Sequence, residues 1–124
     1  MLSPAQVVAT RKAIESMYSG TCDVVEYTKA QQPDKLMKLQ EVTVLTAQPC
    51  RLSFKTKEAS SPSDTVNGVN QVIQLFISPK LHVKPGSKIV VTQNGVTTAY
   101  KSSGQPAIYN THQEIILELF RGWA

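Results

Sequence analysis

Glu114 and Glu118, in the run "THQEIILELF", are the two carboxylates whose spacing offers acid–base chemistry. Residues four apart on an extended strand share a face, so both would point to one side. Such a pair can divide a proton donor from an acceptor. The same spacing describes a surface strand with two solvated charges, and that is the reading expected here. The other reactive residues are scattered. His82 and His112 stand apart from each other and from Cys22 and Cys50, and neither cysteine has a CxxC partner, so no metal site is expected. Gly86-Ser87-Lys88 matches only the tail of a phosphate-binding GxxxxGK[ST] loop and lacks its upstream glycine. GxGxxG, HExxH and GxSxG are absent. The expectation is a chain with no catalytic residues and no cofactor, not an enzyme.

Charge placement says more. The net charge is +4, and the segment from Thr65 to Gln113 holds Lys80, Lys84, Lys88 and Lys101 with no Asp or Glu. A one-signed block attracts anions, nucleic acid or an acidic partner among them. Its simpler alternative is a solvated fringe that keeps strand edges from pairing.

The elements that must carry these residues are mostly strands. Ser3-Pro4-Ala5-Gln6 reads as a capped helix start, and Val7, Ile14, Met17 and Tyr18 recur at helical spacing up to Gly20, which reads as the C-terminal stop. The helix, expected over 3–19, lies against a sheet or a neighbouring subunit. Strand patterns follow over Thr21–Thr28, Glu41–Thr46, Cys50–Lys55, Gln71–Ile77, either side of Asn94-Gly95, and over the last run. Asn94-Gly95 is the dipeptide of a two-residue type I′ hairpin. Cys50, Leu52 and Phe54 are expected on a buried face, as are Ile115, Leu117 and Leu119. Buried free thiols are expected for Cys22 and Cys50, ahead of a disulfide.

Between strands, "KEASSPSDTVNGVN" (57–70) has turn residues and no apolar face. Loops this long are uncommon in compact domains, which makes it a functional candidate, with Ser60, Ser61, Asp64, Asn67 and Gly68 at its centre. The bland alternative is a surface insertion without a role.

At 124 residues, 41% apolar and 18% charged, the sequence fits one globular domain, 1–124, with the barrel over 21–121. Its apolar runs fall well short of the roughly 20 residues that span a bilayer, and no signal peptide is visible, so no membrane role is expected. The fold class expected is mainly β: a small antiparallel barrel or sandwich of about six strands, one N-terminal helix and a long polar loop. An OB-like nucleic-acid-binding module is one use of such a barrel. Aromatic residues, on which bases would stack, make up only 6% of the chain, and Phe54, Phe76 and Phe120 are expected to be buried.

The phrases "LSPAQ…RKAIESMYSGTCDVVEY", "QPCRLSF" and "PGSKIVVTQNGVTTAYKSSGQPAIYNTHQEIILELF" resemble, over essentially the whole chain, the head completion proteins of tailed bacteriophages and prophages. These are also called head–tail connector, head-closure or stopper proteins. The resemblance implies a small β-barrel with an added helix and a long loop. It also implies a structural virion protein, made in the bacterial host cytoplasm and monomeric in isolation until assembled as a ring below the portal. The ring closes the DNA-filled head, meets portal or adaptor ring and tail components, and touches packaged double-stranded DNA without sequence preference. On that reading Lys80, Lys84, Lys88 and Lys101 face the DNA channel, and the 57–70 loop lines the lumen or docks. The Asn94-Gly95 hairpin docks on an adjacent ring. Val7, Ile14, Tyr18, Ile116 and Phe120 meet neighbouring subunits.

Overall fold

The computed structural model describes residues 2–31, 33, 36–58 and 69–123. One helix, α1 (Pro4–Glu15), precedes six strands: β1 (Gly20–Gln31), β2 (Met37–Glu58), β3 (Val69–Ile77), β4 (Lys88–Gln93), β5 (Val96–Ile108) and β6 (Gln113–Leu119). All neighbouring strands are antiparallel, and the order β1-β2-β3-β6-β5-β4 closes into a barrel. The fold is mainly β, as the strand spacing predicts.

Alternation builds the core. Cys22 and Val24, Leu75 and Ile77, Ile89 and Val91, and Ile115 and Leu117 each stand two apart on their strands and are all buried. Val83 and Leu81 join them from the segment between β3 and β4. Fully burying each such aliphatic side chain contributes roughly 1.5–3 kcal/mol. Cys22 and Cys50 are buried and free. The hydrogen bond between these two thiols, together with burial, pushes the Cys22 pKa far above the ordinary thiol value. Neither sulfur is presented to solvent as a nucleophile.

β2 is a single strand where the sequence suggests two. Ala47, with φ +52°, marks an irregularity opposite the register shifts at Cys22–Val25, and its N–H is satisfied by Asp23 Oδ1 at 2.8 Å. Pro49 is accommodated because this half of β2 has a partner strand on one side only. At Cys50 the strand changes neighbours, pairing with Gly20 on one side and Ile77 on the other. Past that point Gln93 stands in for the missing strand. Its carboxamide accepts from Leu52 N at 2.8 Å and donates to Leu52 O at 3.4 Å.

Several boundaries differ from those the sequence suggests. The helix stops at Glu15 rather than reaching residue 19, and none of its residues is buried. Ser3 caps it through the expected box: Ser3 Oγ accepts from Gln6 N, and Gln6 Oε1 accepts from Ser3 N. Met17 is 74% exposed, because the chain has already left the helix. Gly20 is not a helix stop but the first residue of β1. A Cβ there would lie 3.0 Å from Thr92 O, so its smallness serves the close approach of β4. Lys57, Glu58, Val69 and Asn70, read as loop, continue β2 and β3 through the pairs Lys57↔Asn70 and Glu58↔Val69. The remaining loop, with Ser60, Ser61, Asp64, Asn67 and Gly68, lies outside the described residues.

Two expected core residues are also outside it. Phe54 is 51% exposed and Leu119 52% exposed. Each continues an inward-facing series past the point where the neighbouring strand on one side has ended. Phe54 lies beyond Gly20↔Cys50, and Leu119 lies beyond Ile73↔Leu117.

Candidate functional site

The hairpin at Asn94-Gly95 forms as expected. Both residues have positive φ, 53° and 78°, between the closing pair Gln93↔Val96. Beside it, Leu52, Phe54, Val96 and Tyr100 line a shallow cleft of about 250 Å³.

The four lysines do not form a one-signed face. Lys84 lies 3.8 Å from Glu26, and Lys88 lies 3.0 Å from Glu41. Lys101 sits opposite Lys88 on β4 and opposite Glu118 on β6. Lys80 is exposed on the turn after β3. The block that is uniform along the chain is therefore divided in space, because β1, β2 and β6 bring carboxylates to it from sequence segments far away.

Glu114 and Glu118 share the outer face of β6, but their backbones are about 13 Å apart at the usual rise of a strand. Glu114 instead lies 3.4 Å from His112 Nε2. His112 also stacks on Tyr109, with centroids 4.8 Å apart, and tilts against Phe76. A proton-sharing carboxylate dyad is thus not assembled. Among the described residues no group of three or more His, Cys, Asp or Glu is placed to hold a metal ion.

The most built-up surface cluster is one that sequence reasoning missed. The tail after β6 turns back over β1 and β2 and stacks the Trp123 indole on Tyr27, with centroids 4.9 Å apart and planes 11° from parallel. Trp123 Nε1 donates to Glu41 Oε2 at 2.9 Å, and Lys88 Nζ reaches the same oxygen. Phe120 meets Trp123 edge-on at 5.1 Å and lies under Lys88 Nζ at 4.8 Å. The tail is latched to the sheet by one carboxylate, one ammonium and three rings. A lone Trp in an unpatterned tail gives no periodic signal, and Tyr27 and Glu41 gain their roles only through the pairing Tyr27↔Glu41.

The hydrogen bond from Trp123, and then that from Lys88, holds the Glu41 carboxyl below the usual value. A lowered folded-state pKa gives a contribution that is present above the ordinary carboxylate range and lost as pH falls through the lowered value. Trp123 is the sole tryptophan, so its emission reports the latch. Its emission is expected to be constant near neutrality and to shift only in acid, below the ordinary carboxylate range. Glu41→Gln should remove that acid transition. An unaltered transition in the variant would assign it to another group.

The interface residues expected from the resemblance are divided as well. Val7, Ile14 and Tyr18 line one half-buried side of the N-terminal segment, while Ile116 is 40% exposed on the outer wall. The buried Tyr18 hydroxyl has no hydrogen-bond partner among the described residues, and burial is the main cause that raises its pKa. Phe120 belongs to the tail latch.

No protein-family model matches the sequence, and no curated protein matches it. Among solved structures, the phage-like element PBSX protein xkdH from Bacillus subtilis is similar at 9% identity. The match covers 80% of this chain and 91% of that one, with a TM-score of 0.47. At that level the likeness bears on neither mechanism nor partners.

Proposed function

We propose that this chain is a structural subunit of the head–tail junction of a tailed bacteriophage or prophage. Copies form a ring below the portal that closes the DNA-filled head and supports tail attachment, and no reaction is performed. The observation that carries the reading is the resemblance, over essentially the whole sequence, to head completion proteins. A barrel with an added N-terminal helix is what that resemblance implies, and it is the fold found. Surfaces favour assembly over catalysis. The carboxylates of β6 are separated, the thiols are buried, and exposed apolar residues occur on more than one wall.

Of the four lysines, Lys80 is the one best placed to meet DNA phosphates, since Lys84 and Lys88 lie at carboxylates and Lys101 stands across from Glu118. DNA contact is then weak and indifferent to sequence.

The test uses DNA-filled, portal-bearing heads that lack this protein. Added purified chain is expected to cosediment with the heads and to protect their DNA from nuclease. Heads that stay nuclease-sensitive, with the chain left in the supernatant, count against the reading. A gel shift covers the nucleic-acid-module alternative. Tight binding of free single strands with a steep salt dependence would favour that module instead.

A further inference from the structure

β4 accompanies β1 only as far as the pair Val25↔Lys88. Beyond it, Glu26–Gln31 and Met37–Val42 run on as a two-stranded ribbon whose outer edges have no partner strand among the described residues. A two-stranded ribbon alone is marginal in water. The register assigns its faces. Tyr27↔Glu41 and Lys29↔Leu39 share one face, which Met37 continues, and Glu26↔Val42 and Thr28↔Gln40 share the other. On the first face Tyr27, Leu39 and Met37 are 42%, 48% and 61% exposed, even though the Trp123 indole already covers part of Tyr27. The tail thus seals only the root of an apolar stripe that continues outward. Lys29, in the middle of that stripe, has no ion-pair partner among the described residues.

A surface of matching chemistry lies on another wall. β6 stands three places from β1 in the six-strand barrel, on the opposite side. Its outward residues are Glu114, Ile116 and Glu118, an exposed isoleucine between two carboxylates. Glu118 is exposed and has no ion pair within 4 Å among the described residues. Apolar meets apolar, and a cation without an ion pair meets an exposed carboxylate whose cross-strand neighbour is Lys101.

We propose that the apolar face of the β1–β2 ribbon docks on the outer face of β6 of a second copy of this chain, with Leu39 and Met37 against Ile116 and Lys29 against Glu118. Because the two surfaces sit on opposite walls, one copy cannot satisfy itself. The contact is heterologous: each copy uses its ribbon on one neighbour and its β6 on another, which propagates a ring or a chain of subunits. This assigns the surfaces of the self-assembly named above and rests on that reading.

The experiment places both reporters on one chain. Leu39→Cys with Ile116→Cys, added to DNA-filled, portal-bearing heads on which the ring assembles, is treated with a short bismaleimide, the native thiols being buried. A ladder of dimers, trimers and larger species is expected from the double variant, and none from either single variant. Adding Lys29→Glu should cut the ladder roughly tenfold, because like charges across an interface are repelled, and a further Glu118→Lys should restore it. No ladder on heads with which the chain cosediments overturns the proposal. So does dimer formation by Leu39→Cys alone, which would mean a ribbon-to-ribbon contact. A second assay separates this failure from that of the ring reading. If Leu39→Asp closes heads as well as the unmodified chain while deletion leaves them open, the ribbon contact falls and the ring stands.

Discussion

Leu75→Ala lowers the free energy of unfolding by about 2–5 kcal/mol, the range for removing a buried leucine that its neighbours cannot replace. Leu75 is fully buried on β3, paired across to Leu52 on β2 and to Ile115 on β6. Three strands therefore meet at one side chain, and closure of the barrel limits how far they can collapse into the cavity. Against a typical domain stability of about 5–15 kcal/mol, the loss is a large fraction of the total. Urea unfolding measures it as a lowered midpoint with an unchanged slope. A loss below about 1 kcal/mol would mean that Leu75 is not at the centre of the core.

Gln113→Ala is expected to cost about 1–3 kcal/mol, more than the single methylene it deletes would account for, because a buried acceptor left unpaired is expensive. Gln113 is 1% exposed at the start of β6. Its Nε2 donates to Ser78 O at 2.8 Å and to Leu81 O at 2.7 Å, which pins the segment that carries Leu81 and Val83 onto the core. Without the amide Leu81 O loses this donor, and Ser78 O keeps only the longer bond from Leu81 N at 3.3 Å. Thermal unfolding should show the loss, and amide exchange should show it locally, with protection falling first around residues 78–83. Uniform loss of protection would mean that Gln113 stabilises the barrel as a whole and not this crossing.

What the sequence revealed about the fold was local in origin. The Ser3 and Gln6 box and the Asn94-Gly95 turn are decided within a few residues, and both formed as read. Alternation placed Cys50 and Leu117 inward because each lies where its strand is flanked on both sides. The same alternation failed at Phe54 and Leu119, where burial depends on whether a strand from elsewhere continues alongside. Gly20 misled for a related reason: its neighbour in space is Thr92, not the helix before it.

The candidate surfaces were less legible. Lys84 and Lys88 carry no hint along the chain of Glu26 and Glu41, which lie tens of residues away and arrive through the pairing of β1 with β2 and β4. Nothing in the strand patterns showed that the β1–β2 hairpin would outrun the barrel. That follows from β4 being only six residues long beside a β1 of twelve. Trp123 was invisible to every pattern, since a latch made by a tail has neither period nor motif.

The claim on which the rest depends is that this chain acts through its shape and surfaces at the junction of a filled head and a tail. Electron microscopy of particles from a phage or prophage whose copy of this gene is deleted tests it most directly. Emptied heads and free, unattached tails, restored to joined particles when the gene is supplied, are the predicted result. Normal yields of tailed, DNA-filled particles without the protein would contradict it.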